Sequence, residues 1–389
     1  MSQIIKHDQE LMKKINKEMI LNLIREKGPI SRADLAKITN MSPTSISRIV
    51  TDFSELGLVK ETNLTSSGVG RKAILLDTDP NSIHVISVEM DQSISKIGVV
   101  DFDGNIILKE EVTYDSHVMD WEKVVDKICN TIGGIIEQEN STESKIIGIG
   151  IGIPGIVDDK SGRVVFSPQL GWKDVGIVDY IEKRFGYKTT IDNLIKSKAI
   201  AENVYGSTKG SKRAALINFG TGVGSALIVN EEIYRGITNS AGEIGHTTID
   251  PNGRLCDCGR IGCLQTFITE EALIQEARAF KNVYSIKEIF DSEIAGENWA
   301  INLIDRLYTY VGIAVCNVIC MYNPDTVIIT GKLIEERPEI LDVIMKRVDD
   351  RIWAPFKNTY EIKGSNLCEK SGMLGVASLV INKYLDAEL

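Results

Sequence analysis

Three cysteines fall within eight residues, spaced as Cys256-x-Cys258-x4-Cys263, and His246 stands ten residues before the first of them. Thiolate sulfur and imidazole nitrogen are the ligands zinc prefers, and four of them complete a tetrahedron with no position left for water. Gly259 and Gly262 let the chain turn tightly around an ion. The cluster predicts one structural Zn(2+) per chain, held by His246, Cys256, Cys258 and Cys263. Seven cysteines in 389 residues do not make a disulfide scaffold, and their clustering favours metal. Cys316 and Cys320 lie four apart in an apolar helical run, a spacing that predicts core packing.

A second group of chemistry-bearing residues lies near the N-terminus. Ser31 is a good N-cap for a helix over Arg32 to about Thr39, with Leu35 and Ile38 turned inward. Asn40-Met41 makes a short turn. Ser42 caps a third helix whose first position is Pro43, where a missing N–H costs nothing. Ile46, Ile49, Val50, Phe53 and Leu56 form its buried face and leave Thr44, Ser45, Ser47 and Arg48 outside. A helix, a short turn and a helix with small polar and basic residues at its start make a DNA-reading geometry. The short strands Leu58-Val59 and Ala73–Leu76 flank the segment TSSGVGRK, which reads as a wing with Arg71 and Lys72 for the phosphate backbone. The candidate DNA contacts are Ser31, Thr44, Ser45, Ser47, Arg48, Arg71 and Lys72.

The elements that must carry these groups follow from periodicity. Leu11, Ile15, Met19 and Leu23, with Ile20 and Ile24 beside them, predict an amphipathic first helix ended by Gly28-Pro29. From Asp79-Pro80 onward the pattern changes. Strands are expected over His84–Val88, Ser95–Asp101, Ile106 to about Val112, Ile146–Ile153, Ala214–Asn218, Ser225–Val229 and Thr326–Thr330, with a helix at about Trp121–Glu137. Strands followed by helices, twice over, predict an α/β body of two similar lobes. The division is 1–78 for a winged helix-turn-helix domain. Residues 79–195 with about 370–389 form the first lobe, and 196–369 the second lobe with the zinc site.

Charge divides the chain in the same place. Residues 1–72 hold 12 Lys and Arg against 8 Asp and Glu, leaving +4, within a chain whose net charge is −10. A basic head on an acidic body confines attraction for phosphate to the head. No run of about 18 apolar residues is expected to cross a membrane. The polar start MSQIIKHDQELMKK lacks the apolar core of a secretory signal, so a cytoplasmic protein is expected.

The motifs Gly242-Glu243-Ile244-Gly245-His246, Cys256-Asp257-Cys258-Gly259 and Gly262-Cys263 carry a resemblance over essentially the whole chain. Gly152-Ile153-Pro154-Gly155, the turn Gly220-Thr221-Gly222-Val223-Gly224 and Asn323-Pro324-Asp325 add to it. The chain resembles the ROK family of bacterial sugar-responsive repressors and sugar kinases, and within it the xylose-type repressors. The resemblance implies a two-lobed actin-like (sugar kinase, ribonuclease H-like) fold with a cleft between lobes. It marks His246, Cys256, Cys258 and Cys263 as zinc ligands, with the metal orienting the loop that presents Glu243 and His246. It also marks Asn193, Glu243 and His246 as sugar contacts. Gln169 stands where the family usually has Asn, and Gln265 where it usually has Glu; both keep hydrogen-bonding capacity.

Two features of the family's kinases are missing. Their phosphate loop Asp-x-Gly-Gly-Thr corresponds to Glu89-Met90-Asp91-Gln92-Ser93, which has no glycine and points Asp91 toward ATP. Their catalytic base, in Asn-Asp-x-Asn, corresponds to Leu194 in Asn193-Leu194-Ile195-Lys196, and leucine takes no proton. Asp192 is near, but the strand end would have to slip to present it. The expected function is a non-enzymatic repressor of carbohydrate metabolism that binds palindromic operator DNA as a dimer or tetramer and senses a small sugar, with no membrane partner. Alternatives are an active ATP-dependent sugar kinase carrying a regulatory DNA-binding head, and a body whose partner is another protein.

Overall fold

A computed structural model describes residues 2–62 and 74–388. The head opens with α1 (Ser2–Lys27), β1 (Ile30–Ser31), α2 (Arg32–Thr39) and α3 (Pro43–Glu55), and continues into β2 (Val59–Thr62) and β3 (Leu75–Thr78). The chain turns between α2 and α3 at Asn40, whose φ of 55° is tolerated by a short polar side chain. Ser42 accepts from the Ser45 N–H at 3.1 Å and starts α3. β3 pairs antiparallel with both β1 and β2, so the wing is the β2–β3 hairpin. Arg71 and Lys72 lie outside the described residues.

The buried stripe of α1 keeps the expected Ile20 and Ile24 but departs from the expected four-residue repeat. Ile20, Leu21 and Ile24 are buried, whereas Ile15 is 47% exposed and Met19 is also exposed. A repeat of four overshoots the 3.6-residue turn, so Ile15 and Met19 wind off the contact face while Leu23 stays packed against the core. Ile38, expected inward, is 45% exposed at the end of the short α2. The buried face of α3 is Ile46, Ile49, Val50 and Phe53, with Leu56 half-buried.

The first lobe comprises β4 (Ile83–Met90), β5 (Ile94–Asp101), β6 (Ile106–Thr113), α4 (Trp121–Glu139), β7 (Lys145–Ile153), β8 (Ile156–Asp158), β9 (Arg163–Ser167), β10 (Trp172–Val175), α5 (Ile177–Phe185) and β11 (Thr189–Asn193). Its main sheet runs β11-β7-β4-β5-β6, with β7 and β11 parallel to β4 and the hairpin strands antiparallel. β8, β9 and β10 form a separate small sheet absent from the sequence expectation. β4 is buried on both faces. Ile86, Val88 and Met90 pack with Val124, Ile128 and Ile132 of α4, and Val85 faces the opposite layer.

Helix α6 (Leu194–Val204) leads into the second lobe: β12 (Arg213–Phe219), β13 (Val223–Val229), β14 (Glu232–Ile233), α7 (Gln265–Ile268), α8 (Glu270–Ala277), α9 (Ile286–Ile294), α10 (Asn298–Tyr322), β15 (Thr326–Thr330), α11 (Lys332–Glu336), α12 (Ile340–Asp349) and β16 (Glu361–Gly364). The sheet order β14-β13-β12-β15-β16 repeats the first lobe's arrangement of hairpin strands followed by parallel strands. α10 is long and apolar enough to cross a membrane by length and composition, contrary to the sequence expectation. In this fold it is the second lobe's core helix, its Leu307, Val311 and Val315 packed under Ile217 and Phe219. Cys316 packs partly against that core, but Cys320 is exposed one turn on, so only one of the pair is a core residue.

The chain closes with α13 (Ser371–Glu388), which returns to the first lobe and packs on α6, β7 and β4. The lobe boundary drawn at 195/196 falls inside α6, which contacts α13 on one side and β12 and β13 on the other. The head is not a separate bead. Its Ile20, Leu21, Ile24 and Phe53 share one apolar cluster with Val85, Val100 and Phe102 of the first lobe and Leu374, Ala377 and Ile381 of α13.

Candidate functional site

The cleft between lobes holds a cavity of about 330 Å³. The first lobe lines it with Asp91, Gly155, Ile156, Phe166, Gln169 and Asn193. Leu194 and Ile195 of α6 form its floor. The second lobe supplies Asn218, Thr221, Gly222, Glu243, His246, Asp257, Arg260 and Gln265. Gln169, Asn193, Glu243, His246 and Gln265, scattered over nearly a hundred residues of sequence, therefore face one space. Asp257, Arg260, Phe166 and Asn218 were not singled out as ligand-facing; for Asp257 and Arg260 the signal was their place inside the cysteine motif.

Each wall has a local cause. β11 ends at Asn193, whose Oδ1 accepts from the N–H groups of Ile195 at 2.9 Å and Lys196 at 3.1 Å and so caps α6. Its Nδ2 donates to Gly155 O at 2.8 Å, which leaves one amide N–H for a ligand. Gly242, at φ 98°, lets the Glu243 loop lie directly on β13; any side chain there would overlap the Ser225 carbonyl. At the mouth, Thr221 Oγ1 donates to Asp91 Oδ1 at 3.0 Å, joining the two lobes. Gln169 packs against Gly222 across the same gap.

Burial and pairing set the charges around the cavity. Burial pushes the Glu243 carboxyl above its usual range, and the Lys196 ammonium pulls it back. Lys196 is only 2% exposed, with Nζ donating to Asn239 O. Burial holds its pKa below that of a free lysine, against the pull of Asp192 and Glu243. Asp192 is buried and gripped by Arg235, whose Nη1 and Nη2 donate to its two oxygens at 2.9 and 2.7 Å. Both oxygens of Asp192 are engaged by the guanidinium, and Asp192 is not among the residues that line the cavity. Leu194 occupies the floor beside it. Glu89, at the end of β4, is buried against Gly372 with Oε2 unpartnered among the described residues, and burial pushes its carboxyl up.

Next to the cavity, one ligand atom from each of His246, Cys256, Cys258 and Cys263 lies within 4.8 Å of all the others. His246 Nδ1 is 3.7 Å from Cys256 Sγ, and Cys258 Sγ is 3.7 Å from Cys263 Sγ. Sulfurs about 2.3 Å from a tetrahedral zinc are about 3.8 Å apart, so these separations fit the ion. The loop closes because Cys256 N–H donates to Arg260 O at 2.8 Å and Gly262, at φ 78°, lies against the Asp250 carbonyl, where no side chain fits. Without a cation, burial drives the Cys263 thiol up to about 12 and raises Cys256. Gln265 Nε2 donates to Cys256 Sγ at 3.3 Å, tying a cavity-lining amide to the cluster.

On the head, Thr44, Ser45, Ser47 and Arg48 are exposed on the first turns of α3. Arg48 makes no ion pair among the described residues. Ser31 does not join that face. It is 6% exposed, pairs with Leu75 in the β1–β3 ladder, accepts from the Asp34 N–H and donates to Asp34 Oδ2 at 2.6 Å. The hydroxyl that makes serine a good cap is consumed by capping, so Ser31 is corrected from a DNA contact to a structural residue.

The ROK family pattern matches residues 85–383, and a winged helix-turn-helix DNA-binding pattern matches residues 14–60. The chain is similar to a xylose repressor of Bacillus spizizenii, 30% identical over 379 residues that cover 97% of this chain and 98% of that one. It is 26% identical to an N-acetylglucosamine repressor of Escherichia coli O6:H1, over 98% of this chain and 95% of that one. Among solved structures, a ROK family transcriptional regulator described as a homologue of the E. coli MLC protein superposes with a TM-score of 0.82 at 24% identity, over 97% and 98% of the two chains. A ROK family glucokinase from Streptomyces griseus, in complex with glucose and AMPPNP, gives 0.69 at 26% identity, over 77% of this chain and 99% of that one.

Proposed function

From a chain that belongs to the ROK family and carries a winged helix-turn-helix head, we infer that a small sugar in the inter-lobe cleft sets the head's affinity for operator DNA. The protein is a sugar-responsive transcriptional repressor and not an enzyme. The observation that carries the cleft's part is a cavity lined by Leu194 where the family's kinases have their catalytic base, with the neighbouring Asp192 carboxylate held by Arg235. Such a cleft binds hydroxyls but has nothing at that position to activate one.

Gln169, Glu243, Gln265 and the free N–H of Asn193 hydrogen-bond the sugar. His246 ligates zinc through Nδ1, which leaves Nε2–H to donate into the cavity. The zinc, one per chain on His246, Cys256, Cys258 and Cys263, is structural: it holds the loop from which Glu243, His246 and Gln265 reach the ligand. Three carboxylates, Asp91, Glu243 and Asp257, line the cavity against Arg260, whose guanidinium already donates to His246 O at 2.6 Å. That balance favours an uncharged free sugar of the xylose class over a sugar phosphate. Thr44, Ser45, Ser47 and Arg48 enter the major groove, while Arg71 and Lys72 of the wing bind the sugar-phosphate backbone. One head reads one half-site, so a dimer or tetramer on a palindrome follows. The protein works in the cytoplasm, where its operator is.

Arg48→Ala weakens binding to a selected operator more than to random duplex. The double change Arg71→Ala, Lys72→Ala weakens both alike and lowers the slope of log affinity against log salt by about two. Gel shifts over a salt series check both; unchanged binding in each would mean that DNA docks elsewhere. Incubated with ATP, magnesium and free D-xylose or D-glucose, the protein forms no sugar phosphate. The free effector sugar releases operator, and its phosphate ester does not. Sugar-dependent ATP turnover would overturn the reading as a pure sensor.

A further inference from the structure

One helix touches both the cleft and the DNA head. α6 starts at the cavity, where Asn193 caps it and Leu194 and Ile195 form the floor. Eleven residues, about 16 Å, later it reaches Tyr205. There the Tyr205 hydroxyl accepts from Arg25 Nη2 at 3.3 Å. The same Nη2 donates to Phe102 O at 2.8 Å, and the guanidinium carbon lies 4.8 Å over the Phe102 ring. Lys209, just beyond α6, pairs with Glu26 at 2.9 Å. Arg25 and Glu26 belong to the last turns of α1, the helix whose Ile20, Leu21 and Ile24 hold the head's core together.

α6 cannot ignore a movement of the lobes. On one side it lies so close to α13 that any side chain at Gly375 would overlap the Ser197 carbonyl. On the other it is bonded to the second lobe: Lys198 donates to Asn218 Oδ1 at 3.3 Å, and Asn203 to Glu231 O at 3.1 Å. A sugar that draws the lobes together changes the stance of α6 between them. The contact it makes with the head is of a kind that can exchange. Beside the apolar edge where Ala201 and Tyr205 meet the shared cluster, it consists of hydrogen bonds and an ion pair, and a cavity of about 550 Å³, lined by Arg25, Glu26, Asp77, Asp103 and Lys209, borders it. The apolar part of the seam resists a second arrangement, and the hydrogen bonds beside open space are the part that permits one.

We propose that Arg25 and Tyr205 form the joint through which α6 passes closure of the cleft to the DNA-binding head. The proposal rests on the sugar-response reading given above. Both are positioning residues: neither touches sugar or DNA, and they set the equilibrium between head orientations that each ligand biases.

The test uses the full-length protein, D-xylose and a duplex selected by the wild-type protein from random sequence. Fluorescence anisotropy gives operator affinity with and without the sugar, and calorimetry gives sugar affinity without DNA. In the wild type the sugar weakens operator binding by a factor of about 5–150. In Tyr205→Phe, which removes one oxygen, that factor shrinks by about two- to ten-fold, while sugar affinity in the absence of DNA stays within about two-fold, inside the scatter of a neutral surface change. Arg25→Met shrinks it further, and Arg25→Lys, which keeps a charged donor, restores part of it. Linkage requires sugar affinity on the DNA-bound protein to change by the same factor, which a merely structural defect would not reproduce. If Tyr205→Phe and Arg25→Met respond to sugar as the wild type does, the joint lies elsewhere. If the wild-type operator affinity ignores D-xylose and a panel of other free sugars, the sensing reading itself falls, and the joint with it.

Discussion

Replacing Glu243 by alanine gives a protein that grips its operator and no longer lets go when sugar is added. Glu243 enters the cavity from the loop that Gly242 lays on β13, half-buried, and burial disfavours its charge. Removing it leaves sugar hydroxyls without partners in a partly desolvated site, at about 1–3 kcal/mol for each unmade bond. That corresponds to roughly ten-fold to more than a hundred-fold in sugar affinity. The head shares no contact with this residue, so operator affinity without sugar stays at the wild-type value. Titrating sugar into a preformed protein–operator complex checks both halves. Release of the variant at the wild-type sugar concentration would remove Glu243 from the binding site. Loss of operator binding in sugar-free buffer would mean that the change damages the whole fold.

Cys258→Ser abolishes metal binding. Elemental analysis finds about one zinc per wild-type chain and none in the variant, as a single four-ligand site implies. The expected loss of stability is about 4 kcal/mol or more, the range in which lost metals and disulfides fall. The reason lies in the loop. Residues 247–263 are held by two isolated bridges, Thr248 to Cys263 and Leu255 to Ile261, and by turns at Gly259 and Gly262 rather than by long strands. Metal binding and folding of such a segment are one equilibrium. Sugar affinity falls with it, since His246 and Gln265 are tethered to the cluster. A metal-free preparation with wild-type melting temperature and sugar affinity would make the four residues a thiol cluster and nothing more.

What the sequence discloses, and what it conceals, follows the range of the physics involved. Local rules are readable. Ser31 and Ser42 cap their helices through bonds spanning three residues, and both caps are where composition places them. The cysteine cluster is readable because its four ligands sit within eighteen residues. Strands buried on both faces, such as β4 and β7, announce themselves as apolar runs. Long-range choices are not readable. α1 has apolar residues on two sides, and only the neighbouring first lobe decides that Ile20, Leu21 and Ile24 are the buried set. Arg235 lies 43 residues from Asp192, and nothing local says that it neutralises the carboxylate beside Leu194. The small sheet β8–β10 escaped because its strands are three to five residues long and alternate irregularly.

The apolar cluster that runs unbroken from the head into the first lobe bears on how such regulators are recombined. A head joined to its body by a string could be exchanged like a cartridge, carrying its operator preference to any sensor. Here Val85, Val100, Phe102, Leu374, Ala377 and Ile381 are as much the floor of the head as of the lobe. A graft cut at the end of the wing would set a foreign α1 on side chains shaped for Ile20, Leu21 and Ile24, with the voids and overlaps that mismatched cores produce. A working chimera must bring those lobe residues with it. Operator choice and effector choice are therefore tied together in this protein, through a seam that belongs to neither domain alone.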